Sequence, residues 1–193
     1  MKGQGQLSFD GVACQRGGRM LFEGLSFALQ SGEAAVVTGP NGIGKSSLLR
    51  LAAGLLIAAR GVIQIEGRIA LADEALALDR QLPLAQALQF WASLDGGSVA
   101  DALAAVSLDH LAQVPVRMLS TGQRKRAVLA RVIASCADIW LLDEPGNGLD
   151  AASLEGLGRA MAAHRARGGI ILAASHQPLG LEGAQQIALE AKS

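Results

Sequence analysis

Residues Gly39-Pro40-Asn41-Gly42-Ile43-Gly44-Lys45-Ser46 spell G-x-x-x-x-G-K-[ST]. They stand between an apolar run, Ala34 to Thr38, and an apolar-periodic stretch from Lys45 to Ala53 that stops at Gly54. Strand, glycine-rich loop and helix in that order leave the chain little freedom. The backbone N–H groups of such a loop surround a phosphate chain, Lys45 reaches the β and γ oxygens, and the Ser46 hydroxyl is placed for Mg²⁺. Glycines let the backbone approach closely, and a helix starting near Lys45 aims its positive end at the phosphates.

The remaining pattern predicts an α/β chain around this unit. Leu7 to Cys14 and Leu25 to Leu29 alternate as half-buried antiparallel strands with a Gly-rich turn between them. Gly61 to Ile65 and Arg68 to Leu71 read as a hairpin around Glu66-Gly67. Pro83 opens a helix to Ser93, and Ser98 with Asp101 caps a second one. Ser120 caps a long helix to about Ser135, and Ala151 to Arg165 is helical. Ile139 to Leu142 and Gly169 to Ala174 are continuous apolar runs, as buried parallel strands require. One domain over 1–193 is expected, with a helical insert at about 79–137.

Composition narrows the function classes. In 193 residues, 17 Lys and Arg balance 17 Asp and Glu. With only four Phe, two Trp and no Tyr, little charge or stacking surface is available for nucleic acid. Mean hydropathy is +0.32, yet the longest apolar stretch, Leu48 to Ala59, contains Arg50 and is too short to span a bilayer. Met1 to Gln6 lacks the apolar region of a secretory signal, so a cytoplasmic chain is expected. Cys14 and Cys136 have no paired spacing and read as reduced, buried thiols. His110 and His164 read as solvated helix residues.

Ile139-Trp140-Leu141-Leu142-Asp143-Glu144 is an apolar strand ending in two carboxylates. Nucleotide hydrolysis needs one acid for the Mg²⁺ shell and one to polarise water, roles that suit Asp143 and Glu144. Between the loop and this strand stands Leu119-Ser120-Thr121-Gly122-Gln123, followed by the basic run Arg124-Lys125-Arg126. That pentapeptide resembles the LSGGQ signature of ATP-binding-cassette (ABC) ATPases. Asn147-Gly148-Leu149-Asp150 is similar to their D-loop, and His176, after the strand ending at Ala174, looks like their switch histidine. The ordered likeness covers nearly the whole chain.

The resemblance implies the P-loop NTPase fold of an ABC nucleotide-binding domain: a parallel-sheet core, an antiparallel β subdomain and a small α-helical subdomain. It implies ATP contacts along Gly39 to Ser46 and at Ser47, Mg²⁺ at Ser46 and Asp143, and catalysis by Glu144 with His176. It further implies a head-to-tail homodimer in which Leu119, Ser120, Thr121, Gly122 and Gln123 of one copy face the γ-phosphate held by the other.

Two positions depart from the family pattern. Glu74 stands where the Q-loop Gln is expected, so a metal role for it is carried by a different side chain. Arg16 takes the place of an adenine-stacking aromatic; its guanidinium can stack on a purine or be a solvated turn residue.

Cys14 to Phe22, Phe90-Trp91, the basic run and the short length further resemble the ATPase subunits of bacterial cytochrome c maturation systems, the haem exporters. That likeness implies integral membrane partners, CcmB-like and CcmC-like, no nucleic acid, and a peripheral position on the cytoplasmic face of the inner membrane. The segment from Glu74 to Leu94, with Leu76, Leu78, Phe90 and Trp91, is the expected dock for those partners. Phe90 and Trp91 are adjacent on a helix, about 100° apart, and so point in different directions.

Overall fold

A computed structural model describes residues 5–190; Met1 to Gln4 of the opening segment lie outside the described residues. Two sheets and a layer of helices stack on one another. The first sheet is antiparallel, with order β2-β1-β4: β1 (Gln6–Arg16), β2 (Arg19–Gln30) and β4 (Arg60–Glu66). The second is parallel, with order β5-β6-β7-β3-β8: β3 (Ala34–Thr38), β5 (Ile69–Ala72), β6 (Ile139–Asp143), β7 (Ile170–Ala174) and β8 (Gln185–Ala188).

Period-two alternation sorts the side chains of the parallel strands into two cores. Ile139, Leu141, Ile170, Leu172 and Ala174 pack toward the antiparallel sheet and helix α1 (Lys45–Ala52). Trp140, Leu142, Ile171 and Ala173 pack toward the other helices, α2 (Leu84–Asp95), α3 (Val99–Ala105), α4 (Thr121–Ala134) and α5 (Ala151–Ala166). Both faces are covered, which is why these strands read as unbroken apolar runs. Truncating Leu141, fully buried between the sheets, to Ala costs roughly 2–5 kcal/mol. In the antiparallel sheet one face is buried, and Phe9 stacks on Phe27 with ring centroids 4.7 Å apart.

Four readings need correction. β4 and β5 are no hairpin: β4 pairs with β1, β5 pairs with β6, and the chain crosses from one sheet to the other between them. Gly67, at φ 114, makes the crossing, and Asp138 Oδ2 accepts the Arg68 N–H at 2.9 Å. The Gly-rich segment between the first strands is mostly strand, because the turn is confined to Gly17 and Gly18, with φ 54 and 79 as a tight hairpin turn demands. Cys14 is buried, but Cys136 is exposed at a left-handed backbone position just after α4. His164 is buried, 5 % exposed, its ring stacked on Trp140 at 3.9 Å. β8 carried no sequence signal that was read; of its four residues only Ile187 is buried.

Candidate nucleotide-binding and active site

The carboxyl ends of β3, β6 and β7 bring three chemical elements to one edge of the parallel sheet. From β3 the chain enters the loop 39–44 and then α1. Gly39 has φ 138, and a Cβ there would stand 2.6 Å from the Leu189 carbonyl oxygen. Gly44, at φ 116, caps α1, and a Cβ would meet Leu21 and Phe22 at 3.2 Å. No other residue fits either place without strain. Lys45, 7 % exposed, folds back over the loop, its Nζ donating to the carbonyls of Gly39 at 2.9 Å and Pro40 at 3.2 Å.

β6 delivers Asp143 and Glu144. Burial pushes the Asp143 carboxyl above the usual carboxylate range; the Ser46 hydroxyl bond and Arg50 oppose this, while Glu144 and Asp73 add to it. Glu144 occupies the left-handed region at φ 46, its N–H held by the Ala174 carbonyl at 2.8 Å. For a non-glycine residue that conformation costs about 1–2 kcal/mol, and it turns the carboxylate toward the end of β7.

There stands His176. Its backbone N–H donates to Glu144 Oε2 at 3.3 Å, and its Nε2 lies 3.3 Å from Glu144 Oε1, 2.7 Å from Asn41 Oδ1 and 2.8 Å from Lys45 Nζ. One ring nitrogen carries either a lone pair or a proton, so it cannot serve all three at once. As an acceptor it takes a hydrogen bond from Lys45 Nζ; as a donor it bonds Asn41 Oδ1, with Glu144 Oε1 close by, leaving Lys45 to the two loop carbonyls. Phosphate loop, acidic strand and histidine thus meet in one hydrogen-bonded cluster.

A cavity of about 470 Å³ opens beside this cluster, lined by Ser46, Asp73, Glu74, Thr121, Lys125, Asp143, Glu144 and Asn147. Ser120 caps α4 in a full capping box, accepting from the Gln123 N–H at 3.3 Å while Gln123 Oε1 accepts from the Ser120 N–H at 2.8 Å. Leu119 is buried, whereas Ser120 and Thr121 are exposed at the start of α4. Lys125 Nζ donates to the Asn147 carbonyl at 2.6 Å, tying α4 to the loop after β6. Asp150 caps α5 by accepting from the Ser153 N–H at 2.8 Å, bonds that hold its carboxyl below the ordinary range.

The family model described as ABC transporter matches residues 22–147. The chain belongs to the ABC transporter family. Cytochrome c biogenesis ATP-binding export proteins named CcmA are similar over almost its full length. That of Zymomonas mobilis is 57 % identical, covering 97 % of this chain and 86 % of the relative, and that of Sphingopyxis alaskensis is 56 % identical over 95 % and 96 %. A dimeric ATP-binding cassette with ADP and phosphate bound superposes with a TM-score of 0.83 at 19 % identity, covering 95 % of this chain and 94 % of that one. An ATP-binding subunit of an ABC transporter superposes at 0.79 with 23 % identity, covering 88 % and 79 %. The chain is an ATPase of the ABC class with the expected fold: a parallel core sheet, an antiparallel sheet and helices.

The ABC fold brings together most, but not all, of the residues singled out in the sequence. Lys45, Asn41, Glu144 and His176 meet directly, and Ser46 and Asp143 line the same cavity. Glu74 is exposed at the rim of the cavity, Arg16 is exposed at the tip of the β1–β2 hairpin, and Asp150 lies beyond the cavity at the start of α5. His164 is remote from this edge, near the amino ends of β6 and β7. Burial drives its pKa down to about 4. Sequence reasoning missed Asp73, which lines the cavity, and the burial of Arg131, whose signal was a cation inside the apolar run Ala127 to Ala134.

Proposed function

We propose that the chain hydrolyses MgATP at a site shared by two copies and thereby drives integral membrane subunits in an export step of cytochrome c biogenesis. The observation that carries this reading is the cluster of Lys45, Asn41, Glu144 and His176 beside the cavity that Ser46 and Asp143 line. Lys45 and the strained Glu144 carboxylate both adjoin His176, so a cation and a base stand close enough to serve the two sides of an in-line attack by water on a γ-phosphate.

Lys45 exchanges its two loop carbonyls for the β and γ oxygens. With Lys45 so engaged, Nε2 of His176 keeps its proton and donates to Glu144, fixing the carboxylate that takes the proton of the attacking water. Ser46 and Asp143 offer a hydroxyl and a carboxylate, hard oxygen donors that suit Mg²⁺ when phosphate oxygens and water complete its shell. Among the described residues no three His, Cys, Asp or Glu side chains form a metal cage of their own, which fits an ion that arrives with the nucleotide. Its chemistry would be to neutralise the phosphate charge and to reverse the proton affinity that burial gives Asp143.

Ser120 and Thr121 start α4 exposed, so the positive end of that helix is free to face a γ-phosphate held by a second copy, in a head-to-tail dimer. Among the described residues no helix is long and apolar enough to cross a membrane, so the transmembrane path belongs to other subunits, CcmB-like and CcmC-like. On this reading the chain is peripheral, at the cytoplasmic face of the inner membrane, and haem is the cargo class. The names of the CcmA relatives support the export role. The surface between Glu74 and Leu94 is the proposed dock. Phe90 is 61 % exposed and Leu94 58 %, while Trp91 turns inward and its Nε1 donates to the Ala77 carbonyl at 3.1 Å.

The test is reconstitution with the membrane subunits. ATP turnover should rise on assembly and vanish in Lys45→Ala, and cysteines at residues 76–80 should crosslink to the partners' cytoplasmic loops in an ATP-dependent yield. Crosslinks confined to the antiparallel sheet would move the dock elsewhere.

A further inference from the structure

A second cavity, about 930 Å³, opens at the amino ends of β5, β6 and β7, the edge of the parallel sheet away from the phosphate loop. That volume lies in the range of about 300–1,000 Å³ that small-ligand sites use. Trp140 lines it while only 3 % exposed, with the His164 ring stacked on it at 3.9 Å. Gly169 makes room for that ring, because a Cβ there would overlap it. The indole Nε1 of Trp140 is buried and has no hydrogen-bond partner. A buried donor left unpaired is costly, so it calls for an acceptor from outside the chain.

Two further groups of this cavity are unspent. Asp101 of α3 and Arg167 at the end of α5 both line it and both are exposed. Among the described residues neither side chain makes a hydrogen bond or ion pair, with the other or with anything else. The second pair of opposite charges here is engaged: Arg68 Nη2 donates to the Cys136 carbonyl at 3.0 Å, and Arg68 Nε lies 3.4 Å from Asp138 Oδ2. His164, driven down to about 4 by burial, is neutral near pH 7. An unpaired carboxylate and an unpaired guanidinium on one cavity suit a ligand that carries both charges, an ammonium for Asp101 and a carboxylate for Arg167.

Cys136 adds a nucleophile to the same space. It follows α4, is exposed and lines the cavity, and its Sγ would stand 3.2 Å from a Cβ on Gly97, at the turn between α2 and α3. Cys14, by contrast, is buried.

We propose that this cavity binds a small zwitterionic peptide disulfide, of the class of glutathione disulfide, and that Cys136 exchanges with it to form a mixed disulfide. Cys136 loses its proton to water, its Sγ attacks one sulfur of the bound disulfide, and a bond forms between Cys136 and one half. The old S–S bond breaks, and the other half leaves as a thiolate that takes up a proton. The protein sulfur is oxidised, the leaving sulfur is reduced, and no further oxidant enters. Neither nucleotide nor a second copy takes part, so the inference goes beyond the ATPase reading and stands apart from it.

The test uses the whole chain in two arms. In the first, S-methylglutathione, which keeps both charges but cannot exchange, is added before iodoacetamide, and alkylation of Cys136 is followed by mass spectrometry. At ten times the half-protecting concentration, alkylation should be about tenfold slower by mass action. Asp101→Asn and Arg167→Gln should each raise the half-protecting concentration by about threefold. In the second arm, mixed-disulfide formation with glutathione disulfide is compared with that of neutral hydroxyethyl disulfide, each rate taken relative to the chain unfolded in urea. The folded chain should favour the zwitterionic reagent by about tenfold, with Cys14 unmodified. Each charge variant should reduce that preference and leave the neutral reagent's rate unchanged.

Equal relative rates for the two reagents, or no protection by S-methylglutathione in the unaltered chain, would overturn the proposal and leave water as the only partner of Trp140 Nε1. The protection arm needs no substitution, so it decides even where a variant fails to fold.

Discussion

The Glu144 carboxylate faces one residue with both oxygens: Oε2 accepts the backbone N–H of His176 at 3.3 Å, and Oε1 lies 3.3 Å from the ring Nε2 of the same residue. The backbone bond orients the carboxylate whichever tautomer the ring adopts. Glu144→Gln should keep ATP affinity, stop turnover and accumulate an ATP-bound dimer on gel filtration. His176→Ala should lower kcat by about 10²- to 10⁴-fold with little change in ATP affinity. Unchanged steady-state hydrolysis in Glu144→Gln would remove it as the base.

Lys45→Ala acts one step earlier. The ammonium is poised to trade the Gly39 and Pro40 carbonyls for phosphate oxygens, and charge-assisted bonds of this kind contribute roughly 1.5–3 kcal/mol each. ATP binding measured by calorimetry should weaken by about tenfold or more. Normal affinity in this variant would sink the phosphate-loop assignment.

Sharing of the site predicts complementation. Ser120 caps α4 from an exposed position, so Ser120→Arg should block the face offered to a partner while leaving its own loop intact. Mixed with Lys45→Ala protomers, it should form heterodimers holding one intact composite site, with ATPase partly recovered. No recovery among heterodimers demonstrated by affinity tags would refute head-to-tail sharing.

His164 sets an acid limit on stability. Buried against Trp140, it titrates at about 4 in the fold and near 6.5 unfolded. The unfolded chain therefore binds the proton first as pH falls. Stability from this group is complete above about pH 6.5, is lost between there and pH 4, and changes no further below. The interval corresponds to roughly 3 kcal/mol. Denaturant melts of His164→Phe, which keeps an aromatic partner for Trp140, should show a shallower decline over that window than the parent. Parallel curves would show that another group governs it.

Much of the candidate site was legible because its residues are local in sequence. Gly39 to Ser46, Asp143-Glu144 and Leu119 to Gln123 are contiguous segments whose residue types carry their own geometry, and the Ser120 capping box formed as its spacing required. Legibility ended where distant segments decide. Glu66-Gly67 looks like a hairpin turn locally, yet Asp138 captures Arg68 and sends the chain into the other sheet. His164 reads as a solvated helix residue until Trp140 is laid against it, and Asp73 becomes notable only where it lines the cavity, 4.0 Å from Arg50. β8 was invisible because an edge strand with one buried side chain has almost no period to detect.

That late edge strand governs when the molecule comes of age on the ribosome. β3 is synthesised early, but its two neighbours are β7, with Ala34 opposite Ile171, and β8, with Val37 opposite Ile187; Leu189 beyond them crowds Gly39. Pairings so distant along the chain form slowly and last. A nascent chain exposes its glycine loop long before β7 and β8 can flank β3, so the loop's frame is complete only once β8 has emerged and docked.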